Sequence, residues 1–181
     1  MYLGKVSETG DTGELFKAPH HPYTRALMEA KPDLEDESSK YEFKGLEGTV
    51  PDPARPPRGC RFHTRCEFAT ESCGWEIDDI VRCLEYDPAA FETLSGVERR
   101  SDFDAVLTFD DAKSANRLAE MLRSGAVPKA LQDSLSKLEL RDRHVSVAFE
   151  EVDEVPLTSR GPGRAAACVL DPSVIASGRN G

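Results

Sequence analysis

The chain has 181 residues, with 33 acidic against 23 basic side chains, a formal net charge of −10 and 39% hydrophobic residues. That length suits one ordinary domain or two small ones and is too short for a complete nucleotide-driven motor. The acidic balance argues against nucleic acid as a partner, because binding a phosphate backbone needs a basic face.

Residues 1–31 open with "MYLGKVSETG", in which Tyr2, Leu3 and Val6 suit a short strand ending at Gly10. After the turn "GDTG", Pro19 and Pro22 interrupt a helical pattern, and Pro22 can begin a new helix in its first turn. Tyr23, Ala26, Leu27 and Ala30 then fall at helical spacing as an apolar stripe. A strand and two short helices cannot bury a core alone, so this piece reads as the end of a larger domain. Residues 32–58 read as a linker: "DLEDESSK" is a solvated acidic run, and Pro51, Pro53, Pro56 and Pro57 favour extended backbone.

Residues 59–96 form a cysteine-rich segment. Residues 97–154 read as a small α+β unit in the order strand, helix, helix, strand. Phe103, Ala105, Leu107 and Phe109 alternate in the first strand, and Val145, Val147 and Phe149 in the last. Ala115, Leu118, Ala119 and Leu122 predict one helix stopped by Gly125, and Leu131, Leu135 and Leu138 a second that starts at Pro128. These apolar positions are expected to be core, since no phosphate loop, nucleophile elbow or carboxylate cluster accompanies them. Residues 155–181 return to loop chemistry around Cys168 and then fray.

No stretch approaches the roughly 20 apolar residues of a transmembrane helix. "MYLGKVSETG" also lacks a signal-peptide layout. A cytoplasmic location is therefore expected, and the dense carboxylates suit a high-salt cytosol. In that compartment five cysteines point to metal rather than to a disulfide framework. Five residues separate Cys60 from Cys66, six separate Cys66 from Cys73, and nine separate Cys73 from Cys83. These steps are wider than the tight knuckles of structural zinc sites, and an iron–sulfur cluster accepts thiolates from loops. Spacing alone leaves zinc and iron both open. Arg58, Arg61 and Arg65 lie beside the first two cysteines, where cations favour thiolates. His63 has the chemistry of a zinc ligand or of a donor to a cluster, but its place between Phe62 and Thr64 suits a structural role better.

The stretches "ELFKAPHHPYTRALMEAKP", "LEGTVPDPARPPRGCRFHTRCEFATESC" and "GPGRAAACVL" occur in this order. Together they resemble the C-terminus of ATP-binding subunits of oligopeptide, dipeptide and nickel ABC transporters, in particular haloarchaeal members. The resemblance covers about residues 1–75 and 160–170. It implies that residues 1–31 are the end of an ABC ATPase domain, with the "HPYT" helix closing it, and that 32–58 form a Pro-rich strap. It also implies a four-iron four-sulfur (4Fe-4S) cluster on Cys60, Cys66, Cys73 and Cys168, with zinc as the alternative and Cys83 as an extra thiol. The α+β unit then looks like a domain inserted between the third and fourth cysteines, either a protein-binding unit or a decoration that stabilises the loop.

The family's Walker A, signature, Walker B and switch-histidine motifs are missing from these residues, so the chain alone is not expected to hydrolyse ATP. ATP and magnesium would belong to a full-length parent, and a truncated or split reading frame is the expected origin. The partners implied are a permease and a second ATP-binding subunit, with peripheral membrane association only. A free-standing metal-binding or electron-transfer module is the alternative reading.

Overall fold

The computed structural model describes residues 1–30, 46 and 48–177. The acidic run "DLEDESSK" lies outside these residues. In chain order they form β1 (Glu8–Thr9), α1 (Thr12–Lys17), α2 (Pro22–Glu29) and two 3-10 turns at His63–Arg65 and Glu71–Cys73. There follow α3 (Ile77–Glu85), α4 (Pro88–Phe91), β2 (Leu94–Arg99), β3 (Asp104–Phe109), α5 (Ala112–Ser124), α6 (Lys129–Asp133), β4 (Leu135–Arg141) and β5 (His144–Phe149). The chain closes with β6 (Thr158–Ser159), β7 (Ala165–Ala166) and α7 (Pro172–Ser177). Helices and antiparallel sheets together make the protein α+β.

Two compact units share the chain: Met1–Pro56, Cys60–Ala69 and Glu154–Gly181 make the first, and Pro57–Gly59 with Thr70–Asp153 the second. In the first unit a small sheet has the order β1-β7-β6, with Glu8 opposite Ala166 and Thr9 opposite Ala165. The strand expected over Tyr2, Leu3 and Val6 is instead a tight reversal. Tyr2 and Lys5 exchange backbone hydrogen bonds of 2.8 and 3.0 Å, and Leu3 and Gly4 take φ of 44° and 79°. Two consecutive positive φ values match the twist of a two-residue hairpin, and glycine at the second lowers the strain.

Tyr2, Tyr23 and Phe62 form an aromatic cluster with ring centroids 5.0–5.3 Å apart. Phe62 is 2% exposed, so this cluster is the core of the unit. Arg25 lies over the Phe68 ring at 5.5 Å and pairs with Glu29. The stripe expected on α2 is only partly covered, because Tyr23 joins the aromatic core while Leu27 remains exposed.

The second unit holds a four-stranded antiparallel sheet of order β2-β3-β5-β4, with β2 and β4 at its edges. Its first strand straddles residue 97, the boundary expected for the α+β unit. Strict alternation in β3 and β5 buries Ala105, Leu107, Phe109, Val145, Val147 and Phe149. On α5 the buried residues include Ala115, Leu118, Ala119 and Leu122, the expected helix face. Asp111 caps this helix by accepting from the Ser114 N–H at 2.8 Å, and Gly125 ends it at φ 85°.

The second predicted helix is cut short. It ends at Asp133, and Leu135 and Leu138 belong to β4. A bulge between Leu135 and Lys137 places Leu135 opposite Phe149 and Leu138 opposite Val147. One extra residue turns an i, i+2 strand pattern into an i, i+3 pattern that imitates a helix.

Candidate metal centre

All five cysteines are thiols, with no disulfide among them. Cys60 and Cys66 bracket a run of tight turns. The N–H groups of His63, Arg65 and Cys66 donate to the carbonyls of Cys60, Phe62 and His63 at 3.0–3.1 Å. His63 is buried, and its Nδ1 donates to the Cys60 carbonyl at 2.7 Å, which fixes the loop. The flanking arginines engage specific partners: Arg58 pairs with Asp102, Arg61 with Glu154 at 2.8 Å, and Arg65 donates to the Leu46 carbonyl at 2.9 Å.

Cys168 is buried and lies two residues beyond β7. Its carbonyl accepts from Arg160. The pairing of β7 with β1 sets its position, and the Ala167 N–H adds a bond to the Ser7 carbonyl at 2.8 Å. Glu8 in β1 then ties the same strand to the start of α2. Its carboxylate accepts from the His20 and His21 N–H groups at 2.8 and 3.1 Å and from Arg164 Nη2 at 3.0 Å. Arg164 also donates to the Ala18 carbonyl. The Glu8 side chain is 1% exposed and that of Arg164 10%, so the pair is buried and held by further hydrogen bonds.

His21 caps α2: its Nδ1 accepts from the Tyr23 N–H at 3.1 Å, and Pro22 occupies the first helical position. Its Nε2 lies 4.0 Å from Cys60 Sγ, the outer reach of an N–H···S contact. Burial pulls the imidazole down to about 4, against the opposing pull of Glu8 and the Ala167 carbonyl.

Cys73 and Cys83 lie in the second unit. The Cys73 sulfur ends a 3-10 turn and accepts from the Thr70 N–H at 3.3 Å. Just outside this turn, Gly59 and Gly74 cross backbone to backbone. A Cβ on Gly59 would meet the Cys73 carbonyl at 2.5 Å, and one on Gly74 would meet Gly59 Cα at 2.7 Å. Cys83 sits on α3, where burial, followed by the charge of Asp79, pushes its thiol up to about 11 against the opposing effect of Arg82. Such a thiol is a poor source of thiolate at neutral pH.

Among the described residues, no group of three or more His, Cys, Asp and Glu side chains is arranged to hold a metal ion. Cys60, Cys66, Cys73 and Cys168, the ligands expected from the sequence, carry thiols, the chemistry that suits a soft metal, but they are not gathered into such a group. The sequence reading missed Glu8, His21 and Arg164. The signal for His21 was its place immediately before Pro22, the capping position of a helix that starts with proline.

The region from β1 through the Cys73 turn is also the part that known proteins share. Residues 7–73 match the family described as "Oligopeptide/dipeptide transporter, C-terminal region". The matched stretch takes in Cys60, Cys66 and Cys73 and ends before α3. The chain is 42% identical over 80 residues to the di/tripeptide transport ATP-binding protein DppF of Pseudomonas aeruginosa, covering 44% of this chain and 24% of that protein. It is 47% identical over 73 residues to the dipeptide transport ATP-binding protein DppF of Haemophilus influenzae, covering 40% of this chain and 22% of that protein. The chain thus spans about a quarter of the length of the curated relatives it matches. No solved structure matches it. Among the described residues, no helix is long and apolar enough to cross a membrane.

Proposed function

We propose that the chain is the C-terminal portion of the ATP-binding subunit of a peptide-type ABC importer, and that it carries a metal centre on Cys60, Cys66, Cys73 and Cys168. The match of residues 7–73 to the transporter C-terminal region carries this reading. The ATPase machinery, the permease and a second ATP-binding subunit belong to the complete importer, where this portion works at the cytoplasmic face. The sheet of β2 to β5 is then a domain inserted between the third and fourth cysteines of the region. The acidic excess of 33 over 23 supports a high-salt cytosol as its setting.

A four-iron four-sulfur cluster is the group best suited to four thiolates from separate loops. When bound, it supplies a covalent tie between the cysteine loop and the segment after β7. The protein's own residues supply the N–H groups near Cys60 and Cys73 and the Glu8–Arg164 pair that anchors the strand leading to Cys168.

Two measurements test the proposal. In the first, the 80 matched residues of the Pseudomonas aeruginosa relative are replaced by those of this chain, and dipeptide uptake is followed. Uptake is expected to persist, and its loss in a stably expressed chimera would refute the transporter reading. In the second, the full chain is purified anaerobically and assayed for iron, sulfide and zinc. Serine at Cys60, Cys66, Cys73 or Cys168 should empty the centre, whereas Cys83→Ser should leave it loaded. A colourless protein that holds zinc would replace the iron assignment.

A further inference from the structure

The registers of β2 to β5 divide the second unit's sheet into two faces. One carries the buried alternation of β3 and β5 and is covered by α5. On the other, Val106 lies opposite Ser146 and Thr108 opposite His144, all partly exposed. Thr108 Oγ1 and His144 Nδ1 are hydrogen-bonded at 3.0 Å. With Ala148 beside them, these residues make a small-sided centre that another flat surface can approach closely.

The two rims of this face differ in sign. On the β4 rim, Lys137 and Arg141 flank Glu139 at 3.6 and 3.5 Å, which leaves one positive charge in excess. On the β2 rim, Glu98 lies opposite Val106, is exposed, and makes no ion pair among the described residues. Asp104, a further acid on this face, is offset by Arg100 at 3.4 Å.

We propose that this face is a contact surface between two copies of the chain, stacked about a two-fold axis that runs along the strands. That axis lays β2 of each copy over β4 of the other. Each Glu98 then meets a rim where two cations outnumber one carboxylate, and symmetry makes the same contact twice. An axis across the strands would instead set Glu98 against Glu98, so the charges select one arrangement. Aligned sheets pack about 10 Å apart, a gap that Glu and Lys or Arg side chains span from opposite sides. Four strands about 4.8 Å apart make the face roughly 350 Å² in area. A standard interface takes about 800 Å² from each partner, so the pair is reversible rather than permanent. Charges closed between two sheets are screened less than exposed ones, and salt weakens the pair only in part.

The test is sedimentation equilibrium of the full chain, from dilute to millimolar concentration. The average mass of the unmodified chain should rise from that of one chain towards that of two. Glu98→Lys sets like charges together at both contacts and should weaken association by roughly tenfold or more. The double variant Lys137→Glu with Arg141→Glu should do the same. An equimolar mixture of the two variants decides the matter, because both contacts of the mixed pair again join opposite charges. Its mass should rise as that of the unmodified chain does. A mixture that stays monomeric, while each variant keeps the far-ultraviolet spectrum of the unmodified chain, overturns the proposal. Association unchanged by Glu98→Lys also overturns it, since the copies then meet elsewhere. An unmodified chain that is monomeric throughout overturns it too and leaves the face to a different partner.

Discussion

Gly59 holds φ 60° where its missing side chain makes room for the Cys73 carbonyl, whereas Gly125 holds φ 85° in open space. The two glycines separate backbone strain from backbone collision. Gly125→Ala should cost about 1 kcal/mol from the left-handed conformation alone. Gly59→Ala adds the collision and should cost about 3 kcal/mol, read as the difference in urea midpoints at constant slope. Equal costs would mean that the crossing relaxes freely. Cys83 shows a different property of single residues. Its thiol is pushed up to about 11 from 9.0, so the folded form stays protonated where an unfolded thiol has ionised. This contribution to stability is intact below about pH 9 and is lost as pH rises towards 11. The unmodified chain should therefore lose more stability than Cys83→Ala between these values, and iodoacetamide at pH 8 should leave Cys83 largely unmodified.

At the scale of elements, β1 is only two residues long, yet Glu8 within it receives two backbone N–H groups and a guanidinium. Removing one member of a buried pair strands the other, so Glu8→Gln or Arg164→Met should each cost about 3 kcal/mol. The double variant should cost less than the sum, as a urea double-mutant cycle would show. Sequence pattern revealed the elements whose period was regular. The alternation of β3 and β5 and the face of α5 were legible because burial there follows the backbone repeat. The pattern at Leu135 and Leu138 misled because a bulge changed the strand's period, and "YLGK" misled because a hairpin turn occupied the apolar residues. The sequence pointed to four thiols as candidate donors. Their supports were not, since Glu8 meets Arg164 across 156 residues and no local period encodes such a pair.

For the whole molecule, the division into two units predicts separable responses. Arg164→Met should speed amide exchange in β1, β7 and the start of α2, while the central strands β3 and β5 keep their protection. Faster exchange in β3 and β5 as well would show a single cooperative body instead. Among the described residues, the sheet of the second unit also has two edge strands, β2 and β4. Glu98 and Arg99 are exposed on one, and Lys137, Glu139 and Arg141 form a chain of ion pairs of 3.5–3.6 Å on the other. A foreign strand docking there would have to displace water from charges of both signs. The same residues that add little to the fold are thus expected to act as gatekeepers, opposing the edge-to-edge pairing by which one copy's open sheet would seed fibres with another's.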